Sequence, residues 1–257
     1  MILDEIIGRT CGRVNRLPPF IAETSGTHPA IIEGSGPLSA AIRTSRNGCA
    51  VIAEMKQASP STGIIARDCR IQDVSHELTA GGAVALSVLT EPYFFAGSPE
   101  HIGLARLGSN LPILRKDFII DPRQLYETSV LGADAVLLIA RLLGDRLPEF
   151  VDLACALGIE PLVEVHTMSE LECAVRTRTG CIGINNRDLG TMQIDLGITE
   201  RLSTVAREAR KLVVSESGIR SVADIRRLMP HCDAFLIGSS VMAAKDRKRM
   251  LEELVCA

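Results

Sequence analysis

PILRKDFIIDPRQLYETSVLGADAVLLI, residues 112–139, contains one complete repeat of the pattern that decides the fold. Two short apolar runs, PILRK and AVLLI, enclose a helix-like stretch. Asp121 can cap the start of that helix, Pro122 suits its first position and Gly132 suits its end. Short runs rich in Val, Ile and Leu are typical of strands buried on both faces of a parallel sheet. The segment therefore predicts a strand–helix–strand unit.

Apolar runs of this kind recur eight times along the chain, and helix-like stretches such as 167–180 and 239–255 separate them. Eight strands alternating with helices favour a closed (β/α)8 barrel over an open doubly wound sheet. The open sheet usually carries GxGxxG or a P-loop after its first strand, and the chain has neither. The eight runs are residues 50–54, 85–89, 112–116, 135–139, 161–165, 181–185, 212–216 and 234–238.

We therefore predict an α/β protein, a single (β/α)8 TIM barrel with an N-terminal helical extension. Its 257 residues and 46% hydrophobic content suffice for one sizeable core, so residues 1–257 are interpreted as a single catalytic domain. Residues 1–49 form the extension over the barrel, with one short helix around 38–45. The first part of the extension is a short amphipathic helix, whose apolar face is Ile2, Leu3, Ile6 and Ile7.

The composition argues against nucleic-acid and membrane partners. The net charge is −3, no basic run is present, and aromatic residues make up only 3% of the chain. No apolar run reaches the length of a membrane span, and charges from Asp4 onward interrupt any signal peptide. The eight cysteines form no CxxC pair and no zinc-like spacing with histidine. We interpret them as reduced thiols of a cytoplasmic protein.

Charged side chains stand at the ends of several runs, where active sites of such barrels lie. Side chains two apart on a strand share a face, so Glu54 and Lys56 share one with Ile52. If such faces point inward, three carboxylates and two ammonium groups meet at one barrel mouth. Neighbouring charges can then set one group as acid and another as base. The corresponding pairs on other runs are Lys116 with Leu114, Glu164 with Leu162, and Glu216 with Val214.

Each of these charges also has a simpler interpretation. A single charged residue at a strand end is more often a solvated or ion-paired loop residue than a catalyst. Burying an unpaired charge is costly, however, so charges on buried strands need partners. Glu164 lies inside LVEV and Asn185 ends a further run, which favours a functional site.

Two glycine loops indicate a phosphate-binding site. Ser217 and Gly218 follow the seventh run, and Gly238 and Ser239 follow the eighth, just before a helix. Glycines expose backbone N–H groups, and phosphate sites in these barrels often follow strands seven and eight. Ordinary helix capping by the two serines is the alternative.

Eight segments, in order, resemble the motifs of the indole-3-glycerol-phosphate synthase family. The resemblance runs from about residue 50 to residue 243, and the N-terminal 49 residues are only weakly matched. The segments are AEMKQASPSTG, SVLTEPYFFAGS, PILRKDFIIDP, GADAVLLIA, LVEVH, IGINNRDL, VSESGI and FLIGSSVM.

The resemblance implies a decarboxylating carbon–carbon lyase of tryptophan biosynthesis that works by general acid/base catalysis. Its substrate would be the sugar phosphate 1-(2-carboxyphenylamino)-1-deoxyribulose 5-phosphate. Ring closure with loss of carbon dioxide and water would give indole-3-glycerol phosphate. No metal and no other cofactor is implied, and other enzymes of tryptophan biosynthesis are candidate partners.

Carried over residue by residue, the resemblance implies that Lys116 of LRKDF is the general acid that polarises the ketone oxygen for ring closure. Glu164 of LVEV would be the acid/base group of the later dehydration. Lys56 of EMK would bind substrate anions and could donate a proton in one step. The residues that would orient these lysines and the substrate are Glu54, Asn185, Glu216 and Ser217.

The same resemblance implies the substrate contacts. Arg187 would hold the carboxylate of the anthranilate ring, and Phe94 and Phe95 would wall its aromatic part. Gln57 departs from the family pattern, which often has Arg or Lys there, and this weakens one anion contact. The remaining predicted substrate-binding residues are Ser59 and the phosphate-binding Gly218, Gly238 and Ser239.

Three alternatives remain open at this stage. Phosphoribosylanthranilate isomerase would share the phosphate loops but would be expected to use an Asp/Cys pair instead of two lysines. An aldolase would form a Schiff base on Lys56 or Lys116. A barrel without catalysis would only bind phosphorylated ligands or a partner protein, against which the intact set of charged residues argues.

Overall fold

The structure of the chain, a computed structural model, describes residues 2–18, 30–45, 48–60, 63–65, 69–188 and 190–257. Parts of the predicted extension, and Ser61 and Thr62 of the AEMKQASPSTG motif, lie outside the described residues. Within these ranges, none of the helices combines the length and the apolar character needed to cross a membrane.

Eight parallel strands close into a barrel, as predicted. Strand β1 pairs with β2 on one side, through Ile52 and Ala85, and with β8 on the other, through Ile52 and Leu236. The observed bounds differ from the predicted ones by at most one residue at either end. They are β1 Ala50–Met55, β2 Ala85–Leu89, β3 Ile113–Lys116, β4 Ala135–Ile139, β5 Glu160–Val165, β6 Cys181–Asn185, β7 Leu212–Glu216 and β8 Ala234–Ile237.

Helices precede the barrel and alternate with its strands. A short antiparallel ladder between Ala58–Ser59 and Gly63–Ile64 follows β1, and a 3-10 turn spans Gly144–Arg146. The helices are α1 Ile2–Val14, α2 Pro37–Arg43, α3 Ile71–Ala80, α4 Glu100–Gly108, α5 Pro122–Leu131, α6 Ala140–Leu143, α7 Leu147–Ala156, α8 Met168–Ala174, α9 Gly197–Glu208, α10 Val222–Leu228, α11 Ser239–Met242 and α12 Arg247–Val255.

Helix α5 has the predicted caps. The side chain of Asp121 accepts a hydrogen bond from the backbone N–H of Arg123, and Gln124 completes a capping box. Gly132 ends the helix with φ of 76°, in the left-handed region that glycine enters without strain. Local sequence signals therefore suffice to define this helix.

Two helix predictions were wrong in extent. The stretch predicted as one helix over 239–255 is two, because Asp246 accepts a hydrogen bond from the N–H of Arg249 and starts α12 anew. The helix predicted to close at Gly180 ends at Ala174. The backbone N–H and the hydroxyl of Thr177 both donate to the carbonyl of Ala174, so tighter turn bonds replace the helical pattern there.

Strand parity divides the core into two layers. The inward faces form a cluster inside the barrel, whereas the alternate residues, such as Val51 and Ala53 of β1, pack beneath the surrounding helices. The predicted inward residues all lie in the inner cluster, so the face assignment from the sequence is confirmed for Ile52, Leu114, Leu162 and Val214.

Helix α2 closes the amino-terminal end of the barrel. Leu38 of α2 is fully buried in the inner cluster. The carboxylate of Glu160, at the start of β5, accepts hydrogen bonds from the N–H of Leu38, at 2.7 Å, and from the N–H and hydroxyl of Ser39. A Cβ at Gly36 would clash with this carboxylate, so glycine permits the close approach. The N-terminal segment is thus anchored by a buried carboxylate at the helix start.

Replacing Glu160 with Gln is expected to lower the free energy of unfolding by about 2 kcal/mol, because charge-assisted bonds to three donors are lost. Urea denaturation measures this change. Glu172→Gln, on an exposed position of α8, is the matched control and should leave stability unchanged. Equal stability of the two variants would show that the anchor contributes nothing.

Candidate active site

A cavity of about 500 Å³ opens at the carboxyl ends of the strands. Every one of the eight strands contributes at least one residue to its wall, and helix α1 covers one side. This is the end of the barrel at which the sequence places its candidate residues. Of those residues, the ones that line the cavity are Glu54, Lys56, Ser59, Phe95, Lys116, Glu164, Asn185, Arg187, Glu216, Ser217, Gly218, Gly238 and Ser239.

Lys116 lies at the centre of the charged part of the cavity. Its Nζ donates hydrogen bonds to Glu216 Oε2 at 2.9 Å and to Glu164 Oε2 at 3.2 Å. Lys56 pairs separately with Glu54, with 2.7 Å between Nζ and Oε1. Three carboxylates and two ammonium groups therefore meet in one place, and each of them is at least four-fifths buried.

Mutual contact sets the ionisation of these groups. Burial alone would lower the pKa of Lys116, but Glu216, Glu164 and Glu54 together raise it above its ordinary value. Burial alone would raise the pKa of Glu164, but Lys116 brings it below the ordinary carboxyl value. The same balance, with Lys56 as the nearest cation, lowers the pKa of Glu54. Lys116 is therefore an ammonium and the two glutamates are carboxylates near neutral pH.

Glu216 behaves differently from the other two carboxylates. Burial and the repulsion of Glu164 and Glu54 outweigh the attraction of Lys116, and they raise the pKa of Glu216 to about 7. Its Oε1 is buried and has no hydrogen-bond partner within the described parts of the chain. A carboxyl group in this state can exchange a proton, or bond to a ligand, near neutral pH.

The loop after β7 has an unusual backbone conformation. Ser217 and Gly218 both have positive φ, of 65° and 85°, and a Cβ at Gly218 would clash with Ile194. The side-chain amide of Asn186 donates to the carbonyls of Glu216 and Ser217 and holds this turn. Both residues line the cavity, so their backbone N–H groups are candidates for binding an anion there.

Gly238, after β8, leaves room for a neighbouring carboxylate. A Cβ at this position would lie 2.6 Å from Oε1 of Glu54. Any larger residue would therefore displace Glu54 from its pair with Lys56. Ser239 follows directly and lines the same end of the cavity.

The loop after β6 carries the remaining polar candidates. Oδ1 of Asn185 accepts a hydrogen bond from the N–H of Arg187, and the Arg187 guanidinium donates to the carbonyl of Met192. Burial and the nearby Arg220 lower the pKa of Arg187. Two cations at this rim of the cavity favour an anionic ligand there.

The opposite wall of the cavity is apolar. Phe95 and Phe118 lie with ring centroids 6.1 Å apart, and Leu137 and Ile139 of β4 complete the surface. Phe94, predicted to share the wall, lies beside the cavity, where it packs against the inner cluster and its N–H donates to Glu91. The cavity thus combines an apolar wall, a charged centre and a glycine-lined rim.

A model of the indole-3-glycerol phosphate synthase family matches residues 25–254. Proteins named indole-3-glycerol phosphate synthase are also similar to the chain. The protein from Carboxydothermus hydrogenoformans is 46% identical over 207 residues, which are 80% of this chain and 78% of that protein. The protein from Dehalococcoides mccartyi strain CBDB1 is 45% identical over 224 residues, 85% of this chain and 86% of that protein.

The chain belongs to the indole-3-glycerol phosphate synthase family. The match confirms the resemblance that eight motifs predict. Solved structures show the same fold at low identity. A mutant tryptophan synthase alpha-subunit from Pyrococcus furiosus has a TM-score of 0.60 at 16% identity and covers 80% of this chain and 97% of that chain. A thiamine phosphate pyrophosphorylase from Pyrococcus furiosus has a TM-score of 0.55 at 16% identity, with 80% and 93% covered.

Several residues of the cavity wall were missed by the motif comparison with the family. Ile2, Leu3 and Ile6 of α1 line the cavity, as do Met192 and Ile194 of the loop after β6. The apolar face of α1 is visible in the sequence as a helical spacing, but the spacing does not say which surface that face covers. The sequence of the loop after β6 gives only a weak signal for these residues. In the structure the loop is held by an isolated β-bridge between Arg187 and Ile194.

A buried ion pair holds α1 over the cavity of this family member. Arg13, near the end of α1, donates from Nη2 to Asp117 Oδ1 at 2.6 Å and from Nη1 to the carbonyl of Thr90 at 3.1 Å. Asp117 is fully buried, directly follows Lys116 and is also bound by Arg115. The helix is therefore fixed to the strand that carries Lys116.

Replacing Arg13 with Gln is expected to raise KM by about tenfold, with a smaller effect on kcat, because α1 loses a charge-assisted contact but Asp117 keeps Arg115. Steady-state kinetics and hydrogen–deuterium exchange of the α1 backbone amides measure the effect. Arg16→Gln, just beyond the same helix and exposed, is the control. Unchanged KM and unchanged protection of α1 would contradict the anchoring role.

Proposed function

We propose that the chain converts 1-(2-carboxyphenylamino)-1-deoxyribulose 5-phosphate into indole-3-glycerol phosphate, carbon dioxide and water, as expected of its family. The observation that carries the proposal is the position of Lys116, 3.2 Å from Glu164, between an apolar wall and a glycine-lined rim. The substrate has the matching parts, namely an aromatic ring, a sugar carbonyl and a phosphate. The enzyme is a decarboxylating lyase of tryptophan biosynthesis.

The three parts of the cavity suggest how the substrate lies. The anthranilate ring packs against Phe95 and Phe118, and α1 covers it. Arg187 faces the ring carboxylate. The phosphate lies at the other end, where the residues Gly218, Gly238 and Ser239 offer backbone N–H groups and a hydroxyl. The ketone carbon then falls between the two ends, beside Lys116.

Ring closure needs a proton at the ketone oxygen while an aromatic carbon attacks the ketone carbon. Lys116 is an ammonium at neutral pH, and its side chain has little contact with water. It can therefore donate a proton to the ketone oxygen of a bound substrate. The new bond forms at the carbon that carries the carboxylate. That carboxylate leaves as carbon dioxide, and the electron pair of the broken carbon–carbon bond restores the aromatic ring.

Dehydration completes the indole. The hydroxyl made in the first step leaves with a proton as water, and the neighbouring ring carbon loses a proton. Glu164 is the acid/base group of this step, because it borders the same space as Lys116 and its carboxylate form can accept a proton. Carbon–carbon bond formation and water loss thus use two groups in direct contact.

The remaining candidates support these two. Lys56 binds substrate anions and is oriented by Glu54 at 2.7 Å. Glu216 orients Lys116 at 2.9 Å, and Asn185 bonds to Glu164. The residues at the edges, Ser59 and Ser217, complete the polar lining of the cavity.

The cytoplasm is the proposed compartment, and other enzymes of tryptophan biosynthesis are the proposed partners. Free thiols support the first proposal, because all eight cysteines lie in the described parts of the chain without a disulfide, as is usual in a reducing compartment. The second rests on the reaction, since its product must pass to an enzyme that consumes it.

The purified chain, incubated with the anilino-ribulose phosphate without added metal, is expected to produce the fluorescence of indole. No signal, together with turnover of the phosphoribosylanthranilate isomerase substrate, would overturn the proposed function. Borohydride in the presence of substrate should leave no covalent adduct, because the proposed chemistry forms no Schiff base on Lys56 or Lys116.

Replacing Lys116 with Met is expected to lower kcat by about 10²–10⁴-fold, because the general acid is lost. Glu164→Gln should lower kcat by a similar factor, whereas Lys56→Met should act more strongly on KM. Stopped-flow fluorescence separates the steps. Lys245→Met, on an exposed lysine, is the control. A Lys116→Met variant with full activity would remove the general-acid assignment and leave family membership intact.

A further inference from the structure

His166 lies directly behind the proposed acid/base group. It comes two residues after Glu164, just beyond β5, and its side chain is only 3% exposed. It does not line the cavity, so it cannot touch a substrate there. None of the roles assigned above uses it.

The imidazole of His166 stands between two carboxylates. Its Nε2 is 3.6 Å from Oε1 of Glu164, and its Nδ1 is 3.5 Å from Oε2 of Glu170 in α8. Neither ring nitrogen has a hydrogen-bond partner of good geometry among the residues that the structure describes. Both distances are slightly longer than a hydrogen bond, and a small rotation of the ring would convert either contact into one.

Glu164 thereby has a neighbour on each side, Lys116 and His166. Its Oε2 accepts from Lys116 at 3.2 Å, on the cavity side, and its Oε1 faces His166 on the far side. A carboxylate with one contact could turn about its last bond. A carboxylate held on both oxygens by groups on different elements has one orientation.

Glu170 is fixed independently of the His166 ring. Its Oε1 accepts from Arg141 Nε of α6 at 3.0 Å, and its Oε2 accepts from the backbone N–H of His166 at 2.6 Å. Glu170 also stands in the first turn of α8, where the helix dipole favours negative charge. It is therefore an anion placed in advance beside the ring.

The charged groups that face His166 are Glu164 from β5, Glu170 from α8 and Arg141 from α6. Burial and Arg141 lower the pKa of His166, and the two carboxylates raise it above its ordinary value. Although burial opposes ionisation, bonding to His166 and Arg141 lowers the pKa of Glu170 to about 2. Each ring nitrogen faces a carboxylate oxygen on a different element, and two facing carboxylates favour the imidazolium over the neutral ring.

The geometry points to His166 as a positioning residue for Glu164: as an imidazolium clamped between Glu164 and Glu170, it sets the orientation and the charge of the carboxylate that faces the substrate. The inference rests on the proposed function, because it gives Glu164 its role. If His166 only filled space, its protonation state would not affect the reaction rate. In the proposed role, its charge changes the pKa of Glu164 and therefore the rate.

The pH dependence of the single-turnover rate tests the inference. His166→Asn removes the imidazolium, so the pKa of Glu164 rises and the acid limb of the rate profile is expected to move up by roughly 1 unit. The effect should fall on kcat and not on KM, since His166 does not touch the cavity. Glu170→Gln should move the limb in the same direction by less, because Glu164 still holds the ring.

His76→Asn, the same substitution on the exposed face of α3, is the matched control and should leave the profile unchanged. An unshifted acid limb in both His166→Asn and Glu170→Gln would overturn the inference. Because Glu170→Gln keeps the shape of the side chain, it remains informative if His166→Asn folds poorly.

Nitrogen-15 chemical shifts of the ring nitrogens provide a readout that does not need activity. The chain has five histidines, and the signal lost in His166→Asn identifies His166. In the unmodified chain, both ring nitrogens of His166 are expected to be protonated at pH 7. In Glu170→Gln, the ring is expected to be neutral at the same pH. A neutral His166 at pH 7 in the unmodified chain would overturn the inference.

These measurements separate the inference from the proposed function. If the chain made no indole product, the proposed function would fail while the ring-nitrogen shifts still reported the clamp. If indole formed normally and Glu164→Gln abolished it, but His166→Asn and Glu170→Gln both left the acid limb in place, only the positioning role would fail.

Discussion

The ammonium of Lys116, buried among Glu216, Glu164 and Glu54, is the interaction on which the rest of the site depends. A single buried charge costs several kcal/mol, and removing one partner leaves the others uncompensated. Each member is therefore kept in place by its neighbours. The same constraint gives the three carboxylates different pKa values. Burial and repulsion raise the pKa of Glu216, whereas the lysines lower those of Glu54 and Glu164.

The barrel makes this arrangement possible through strand parity. Side chains that point inward from different strands converge on one axis, so residues far apart in the chain, such as Lys116 and Glu216, come within 2.9 Å. Below the charges, the inward residues are apolar and exclude water. This apolar layer lowers the local dielectric constant, which strengthens each interaction between the charged groups above it.

The N-terminal segment serves both ends of the barrel. Helix α2 closes the bottom through Glu160, where the contact stabilises the fold, and α1 covers the top through Arg13 and Asp117, where it shapes the cavity. The carboxyl end of the barrel is therefore stabilised by the ion pair between Arg13 and Asp117 and by the contact between His166 and Glu164. The first lies next to Lys116 at the end of β3, and the second involves Glu164 of β5 itself.

The sequence by itself determined the eight strands, their inward faces and the caps of α5, because these depend on local spacing and on residues a few positions apart. It also determined most of the candidate site, since strand ends such as Glu54 and Glu164 are read from the same spacing. Only the tertiary structure decided where α1 lies, which oxygen of Glu164 faces which cation, and that Phe94 stays outside the cavity. Those outcomes depend on contacts between residues distant in the chain, and a local pattern cannot say which surface an apolar face or a buried charge will meet.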